Sequence, residues 1–341
     1  MILILVSLLP PNLSDNWLRF GTALGRPTDR GRVRSARGGE NPGMADVCIT
    51  EFTDPGCPWA YSAEPFRRRL SWLYGDRLEW KTRMVGLAAT PDDYERRGFT
   101  TKKHAAALAM IAREQEMPID TRERPRMAAT IPACRAVVAA RLHALQAERP
   151  LLRRLRVRNF SGELLDEPAT IAAAATDVGL DPAELERWCE GQDVAAALAE
   201  DMAISRQPMP AARVLDAKLA NWSGGRRYTC PSYEIARTSD GVRIAVPGFQ
   251  PFAVYDVVTA NLVPGVDRRE PPATVEEVLA WTGTPLATKE VAVVCDIAFA
   301  DARERLGRVA VEEHVGADGF WTLPGTRRRS RRTAPARATV A

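Results

Sequence analysis

One cysteine, Cys57, stands where a thiol becomes reactive. It lies in Phe52-Thr53-Asp54-Pro55-Gly56-Cys57-Pro58-Trp59-Ala60-Tyr61, between an apolar strand-like run and a helix-like run. A thiol at a helix N-terminus faces unpaired backbone N–H groups and the positive end of the helix dipole, and both favour the thiolate. A free thiol titrates near ~8.5, and a helix terminus contributes roughly 0.3–1 kcal/mol against ~1.36 kcal/mol per pKa unit. The dipole alone therefore lowers the pKa by up to about one unit, enough for a substantial thiolate fraction at neutral pH. Where a redox motif would carry a second cysteine, this chain has Ala60. A lone thiolate can open a disulfide to a mixed disulfide, but another thiol must then release it.

The flanking sequence must position that sulfur. Residues 47–52 read as a strand, broken by Asp54-Pro55-Gly56. Pro58 suits the first turn of a helix, Phe66, Leu70, Leu73 and Tyr74 give its apolar stripe, and Gly75 suits its C′ position. Residues 77–85 read as a second strand, completing a β-α-β unit with the cysteine at the first strand-to-helix turn. Residues 88–205 read as mostly helical, with helices expected over 101–116, 125–148, 167–179, 182–190 and 193–205. Asp181-Pro182-Ala183-Glu184 is a strong helix start.

Strands are expected again after Asn221-Trp222-Ser223-Gly224-Gly225, as a hairpin of 233–237 and 242–246 around Asp240-Gly241. Gly248-Phe249-Gln250-Pro251 then opens a helix to about Leu262, and 264–272 reads as a Pro-rich linker. Three helices and a small hairpin follow, the order of a winged helix-turn-helix.

A chain of 341 residues, 45% hydrophobic and 26% charged, fits a globular protein of about two domains. The net charge of +4 belongs to the ends: residues 1–43 carry +3 and residues 327–341 carry +6, leaving the body at −5. A nucleic-acid-binding body is therefore not indicated. Six cysteines form no CxxC pair, and His104, His143 and His314 are far apart, so no zinc-like spacing occurs and no metal is expected. No P-loop or strand-associated GxGxxG points to a nucleotide. The apolar run of residues 2–9 is too short to span a bilayer and lacks signal-peptide features, which makes the cytoplasm the expected compartment.

Two stretches carry a family resemblance. Phe52-Thr53-Asp54-Pro55-Gly56-Cys57-Pro58-Trp59 resembles the active-site turn of the DsbA/FrnE family of thioredoxin-fold proteins. Thr229-Cys230-Pro231-Ser232-Tyr233-Glu234-Ile235, followed by Val246-Pro247-Gly248-Phe249-Gln250-Pro251-Phe252, resembles that family's cis-proline loop, hairpin and closing helix. The resemblance implies an α/β thioredoxin-like domain from 44–87 and 206–264, with an inserted helical domain at 88–205. Outside it stand a disordered extension over 1–43, a winged-helix-like domain over 273–324 and a basic disordered tail over 325–341. It further implies Cys57 as nucleophile and Pro231 as the cis-proline facing it, with Pro58, Trp59, Cys230 and Pro231 contacting the substrate. Ala60 departs from the family's dithiol pattern.

The expected function is a DsbA/FrnE-like thiol-disulfide oxidoreductase or disulfide isomerase, working through Cys57 and a mixed disulfide. Its partners would be thiols or disulfides, small or protein, with no nucleic acid and no membrane. No tightly bound cofactor is expected. The releasing group would be a substrate thiol, a low-molecular-weight thiol as co-substrate, or Cys230. Two rival readings are an enzyme resembling kappa-type glutathione transferases, with the chemistry on a bound thiol, and a binding or regulatory protein with a retired thioredoxin domain. Trp59, Tyr61 and Trp222 are expected to wall a cleft around the thiol, and Asp54 to cap the turn. Cys48, Cys134, Cys189 and Cys295 read as core fillers. In the last helix Arg303, Arg305 and Arg308 are mixed with Asp301 and Glu304, which is poor phosphate-binding chemistry.

Overall fold

The computed structural model describes residues 45–325. The expected 1–43 extension and all but the first residue of the 325–341 tail lie outside them. Strand β1 (Val47–Thr53) leads through a tight turn into helices α1 (Pro58–Ser62) and α2 (Glu64–Tyr74), then β2 (Leu78–Met84). One continuous helix was expected here, but the chain breaks at Ala63. Pro65 is the reason: it has no N–H to return to the carbonyl four residues back, and it disfavours helical geometry at the residue before it.

The helical insert follows: α3 (Asp92–Glu95), α4 (Thr101–Gln115), α5 (Ile131–His143), α6 (Leu145–Phe160), α7 (Pro168–Asp177), α8 (Pro182–Cys189) and α9 (Gln192–Ser205). Asp181 caps α8 by accepting from the Ala183 amide at 2.9 Å. The expected 125–148 helix is corrected in two ways. It begins only at Ile131, because Thr130 is held by the active-site turn. It also breaks at Ala144, where a second helix runs on to Phe160. The insert's core joins Val137, Val138, Leu151, Leu155, Leu185 and Val194. Each such side chain contributes roughly 1.5–3 kcal/mol on burial.

After α10 (Pro210–Arg213) comes a small hairpin, β3 (Leu219–Trp222) and β4 (Gly225–Tyr228), which turns at the stretch expected to precede the strands. Then β5 (Ser232–Arg237), β6 (Arg243–Val246) and α11 (Phe252–Leu262) complete the thioredoxin-like half. Its four-stranded sheet runs β2-β1-β5-β6, with β1 parallel to β2 and antiparallel to β5. Val47 and Ile49 of β1, Ile235 of β5, Leu70 of α2 and Tyr255 of α11 close the core on one face of that sheet.

The C-terminal elements are α12 (Val275–Thr282), β7 (Leu286–Ala287), α13 (Thr288–Cys295), α14 (Phe299–Val309), β8 (Val311–Val315) and β9 (Asp318–Thr322). The three strands form one sheet in the order β7-β9-β8. Its hairpin turns at Gly316-Ala317, and Asp318 and Gly319 pair within the ladder. Gly316 has φ +63°, and a Cβ there would lie 2.1 Å from the Ile119 carbonyl oxygen, so the hairpin tip abuts the helical insert. Trp72 of α2 is buried in the C-terminal core beside Val278, Leu286 and Val291.

Candidate active site

The turn after β1 is fixed by a buried carboxylate. Asp54 is fully buried and accepts from the amides of Gly56 and Leu87, both at 2.8 Å, and from the Thr130 hydroxyl at 2.9 Å. The Cys134 thiol lies 3.4 Å from the same carboxylate oxygen as Thr130. Three segments distant in sequence thus meet on one side chain. Position 56 must be glycine for space, since a Cβ would stand 2.6 Å from the Thr130 methyl.

Cys57 is the N-cap of α1, in extended geometry, with Pro58 at the first helical position. Its carbonyl accepts from the Tyr61 amide at 3.1 Å. Its Sγ lies 3.2 Å from the carbonyl oxygen of Cys230, and the Cys230–Pro231 peptide is cis. Sequence residues 57, 58, 230 and 231 therefore come together, as the resemblance implied. The sulfur is not openly accessible, as a reactive thiol was expected to be. Cys57 is 6% exposed and Cys230 7%, within a cluster of Phe52, Ala60, Val85 and Tyr228, with Trp59 and Leu87 half-buried beside it.

The Cys57 pKa is lowered. The first cause is a hydrogen bond from the Cys230 side chain; the amides of Ala60 and Trp59 add to it, while burial and the Asp54 charge work against it. Cys230 is pushed up by burial and by the neighbouring Cys57 sulfur. The dipole argument needs amending accordingly. Helix α1 has only five residues, and its contribution comes through two local amides rather than a long macrodipole. Burial raises the pKa of Asp54, and burial together with Asp54 raises that of Cys134.

Of the three aromatic residues expected around the thiol, only Trp59 is there, against Phe249 at 5.4 Å between ring centroids. Tyr61 points away: its hydroxyl donates to the Pro118 carbonyl at 2.9 Å and its ring stacks on Phe160. Trp222 is exposed at the end of β3, with the Arg206 guanidinium over its ring. Phe52 and Tyr228 take their places, with ring centroids 4.3 Å apart. Thr130 and Cys134 had no signal in sequence beyond a helix start; Asp54 was visible only as a turn cap. Among the described residues no group of three or more His, Cys, Asp or Glu is placed to hold a metal ion, and no helix is long and apolar enough to cross a membrane.

Comparison with known proteins follows this geometry. The profile of the DSBA-like thioredoxin domain matches residues 48–208. Among solved structures, one described as a probable DsbA oxidoreductase from Streptomyces coelicolor is 19% identical, with a TM-score of 0.47, covering 66% of this chain and 92% of that one. The cytosolic disulfide reductase DsbM from Pseudomonas aeruginosa is 17% identical, with a TM-score of 0.43, covering 63% and 95%. No curated protein matches. From β1 through the helical insert, this chain carries a DSBA-like thioredoxin domain.

Proposed function

We propose that the protein is a thiol-disulfide exchange enzyme that uses Cys57 as its single nucleophile. The observation carrying this is the placement of the Cys57 sulfur at the start of α1, against Cys230 and its cis peptide, with alanine at position 60. The Cys57 thiolate attacks one sulfur of a disulfide, forming a mixed disulfide and expelling the other sulfur as a thiolate. A second thiolate then attacks the substrate-derived sulfur and frees Cys57. If that second thiolate belongs to the substrate, the net reaction is isomerisation. If it belongs to a low-molecular-weight thiol, that half of the substrate leaves as a mixed disulfide with the small thiol, and a second small thiol completes the reduction while the pair of small thiols is oxidised to its disulfide. The narrow exposure of Cys57 favours small or extended disulfides over folded surfaces.

Cys230 is a third candidate for release. It would attack Cys57 itself, form a Cys57–Cys230 disulfide and expel the substrate thiol, with external thiols later reducing the pair. Its raised pKa makes it the slower attacker. The C-terminal elements we read as a winged-helix-like unit used for packing. Arg303 is taken up by Asp318 and Glu312, and Arg308 by Glu304, which leaves neither guanidinium free for a phosphate backbone. The cytoplasm, where thiols stay reduced, is the setting this reading assumes.

Intact-mass measurement after exposure to glutathione disulfide tests the proposal. One glutathione adduct at Cys57 is expected, absent in Cys57→Ser; Cys230→Ala should keep it. An activity retained by Cys57→Ser would instead move the chemistry to a bound thiol and overturn the single-nucleophile reading.

A further inference from the structure

One sizeable cavity among the described residues does not touch the thiol. It holds about 810 Å³ between α2, α6 and the C-terminal elements, within the range of small-molecule sites. Arg67 and Arg68 of α2 and Arg149, Arg153, Arg154 and Arg156 of α6 line it, with Trp281 and Phe320 as apolar wall. None of the cluster around Cys57 contributes to its wall.

Of the carboxylates that hold these arginines, Glu51 and Glu290 stand behind the cavity wall, while Glu64 and Asp177 are buried parts of it. Glu290, fully buried, takes Arg68 and Arg153, each at 2.6 Å. Glu51, also buried, takes Arg156 at 3.0 Å and stands 3.7 Å from Arg149. Glu64 takes Arg156, and Asp177 takes Arg154. The side chains of these four acids are at most 4% exposed, whereas those of Arg149 and Arg154 are 22% and 25% exposed. Among the acids lining the cavity, only Glu313 is exposed. The face offered to the cavity is therefore cationic.

The guanidinium donors are also incompletely used. Arg67 Nε, Arg149 Nη2, Arg153 Nη1 and Arg156 Nε are buried with no hydrogen-bond partner, and Arg153 and Arg156 are themselves 9% and 1% exposed. Glu51 Oε2 in the same network also lacks a hydrogen-bond partner, and these atoms are closed to the cavity, so an anion there would meet the exposed edges of Arg149 and Arg154 first. Burial and the facing Arg149 also pull down the proton affinity of Arg67. Arg67 and Arg149 lie over the same Trp80 ring, at 5.0 and 5.2 Å from its centroid.

We infer that this cavity binds a phosphate-bearing small molecule, its phosphate held by the arginines of α2 and α6 and its organic part against Trp281. Guanidinium forks pair bidentately with phosphate oxygens, and low-dielectric walls concentrate the field that attracts them.

Calorimetry and thermal melting of the full chain at low salt, with inorganic phosphate, AMP and adenosine as probes, test this. AMP is expected to bind saturably and raise the melting temperature, with adenosine inert. Phosphate binding as tightly as AMP would keep the phosphate site and remove the role of Trp281. Arg149→Gln should weaken AMP binding by about tenfold or more, the loss of one charge-assisted pair, and reduce the rise in melting temperature that AMP produces. Arg67→Gln, whose nearest carboxylate is 3.9 Å away, provides the same reading if Arg149→Gln fails to fold. No binding of phosphate or AMP at millimolar concentration, or binding untouched by either substitution, would overturn the inference.

Discussion

At one end of the α1–α2 segment, Cys57 sits in an apolar shell with one sulfur neighbour, two amides and one buried carboxylate to set its charge. Seven to eleven residues further on, Glu64, Arg67 and Arg68 enter a network of buried ions that continues through Arg153 and Arg156. The first region stabilises one charge with a few well-placed dipoles. The second confines many charges whose donors outnumber the acceptors they meet. In the first, function depends on tuning one group; in the second, stability depends on keeping each ion's partner in place.

Removing a partner in the ion network should have the largest effect. Glu290→Gln leaves Arg68 and Arg153 without their shared carboxylate and alters its bond to the Ala287 amide. A loss of about 3–5 kcal/mol is expected, read by urea denaturation. A loss below about 1 kcal/mol would mean that water reaches this network freely. At the thiol, Cys230→Ala removes the main cause that lowers Cys57, so the pH midpoint of Cys57 alkylation should rise. An unmoved midpoint would transfer the effect to the amides of Ala60 and Trp59. Smallest, and opposite in sign, is Asp54→Asn. Removing a negative charge that opposes the thiolate should move the same midpoint down. An upward shift would show that Asp54 matters more for holding Gly56 and Leu87 than for its charge.

The same contrast explains what could be read from the chain alone. Phe52–Trp59 and the Cys230-Pro231 loop were legible because turn, helix start and nucleophile are local chemistry written in adjacent residues. The β-hairpin at Asp240-Gly241 and the helix boundary at Gly75 were legible for the same reason. The helix from Leu145 to Phe160 was not: Pro150 lies inside it, and arginines stand at 149, 153, 154, 156 and 158. Their burial depends on Glu51, Glu64 and Glu290, which come from far along the chain. The contacts of Thr130 and Cys134 with Asp54 were not legible because only the folded insert brings them beneath the turn that carries Cys57. Tyr61 was assigned to the thiol by proximity in sequence, yet a helix turns successive side chains to different faces, and its ring serves the insert instead.

The burial of Trp72 links the two halves of the molecule in a further way. Its indole nitrogen donates to the Glu270 carbonyl at 2.8 Å, its ring meets Trp281 edge-on, and Arg269 lies over it at 3.5 Å. The α1–α2 segment that begins at Cys57 therefore ends inside the C-terminal core. A chain cut after α11 would leave that indole facing water and strip Arg68 and Arg69 of Glu290 and Asp296. The terminal module is thus a keystone rather than an appendage, and it melts together with the sheet that carries the thiol.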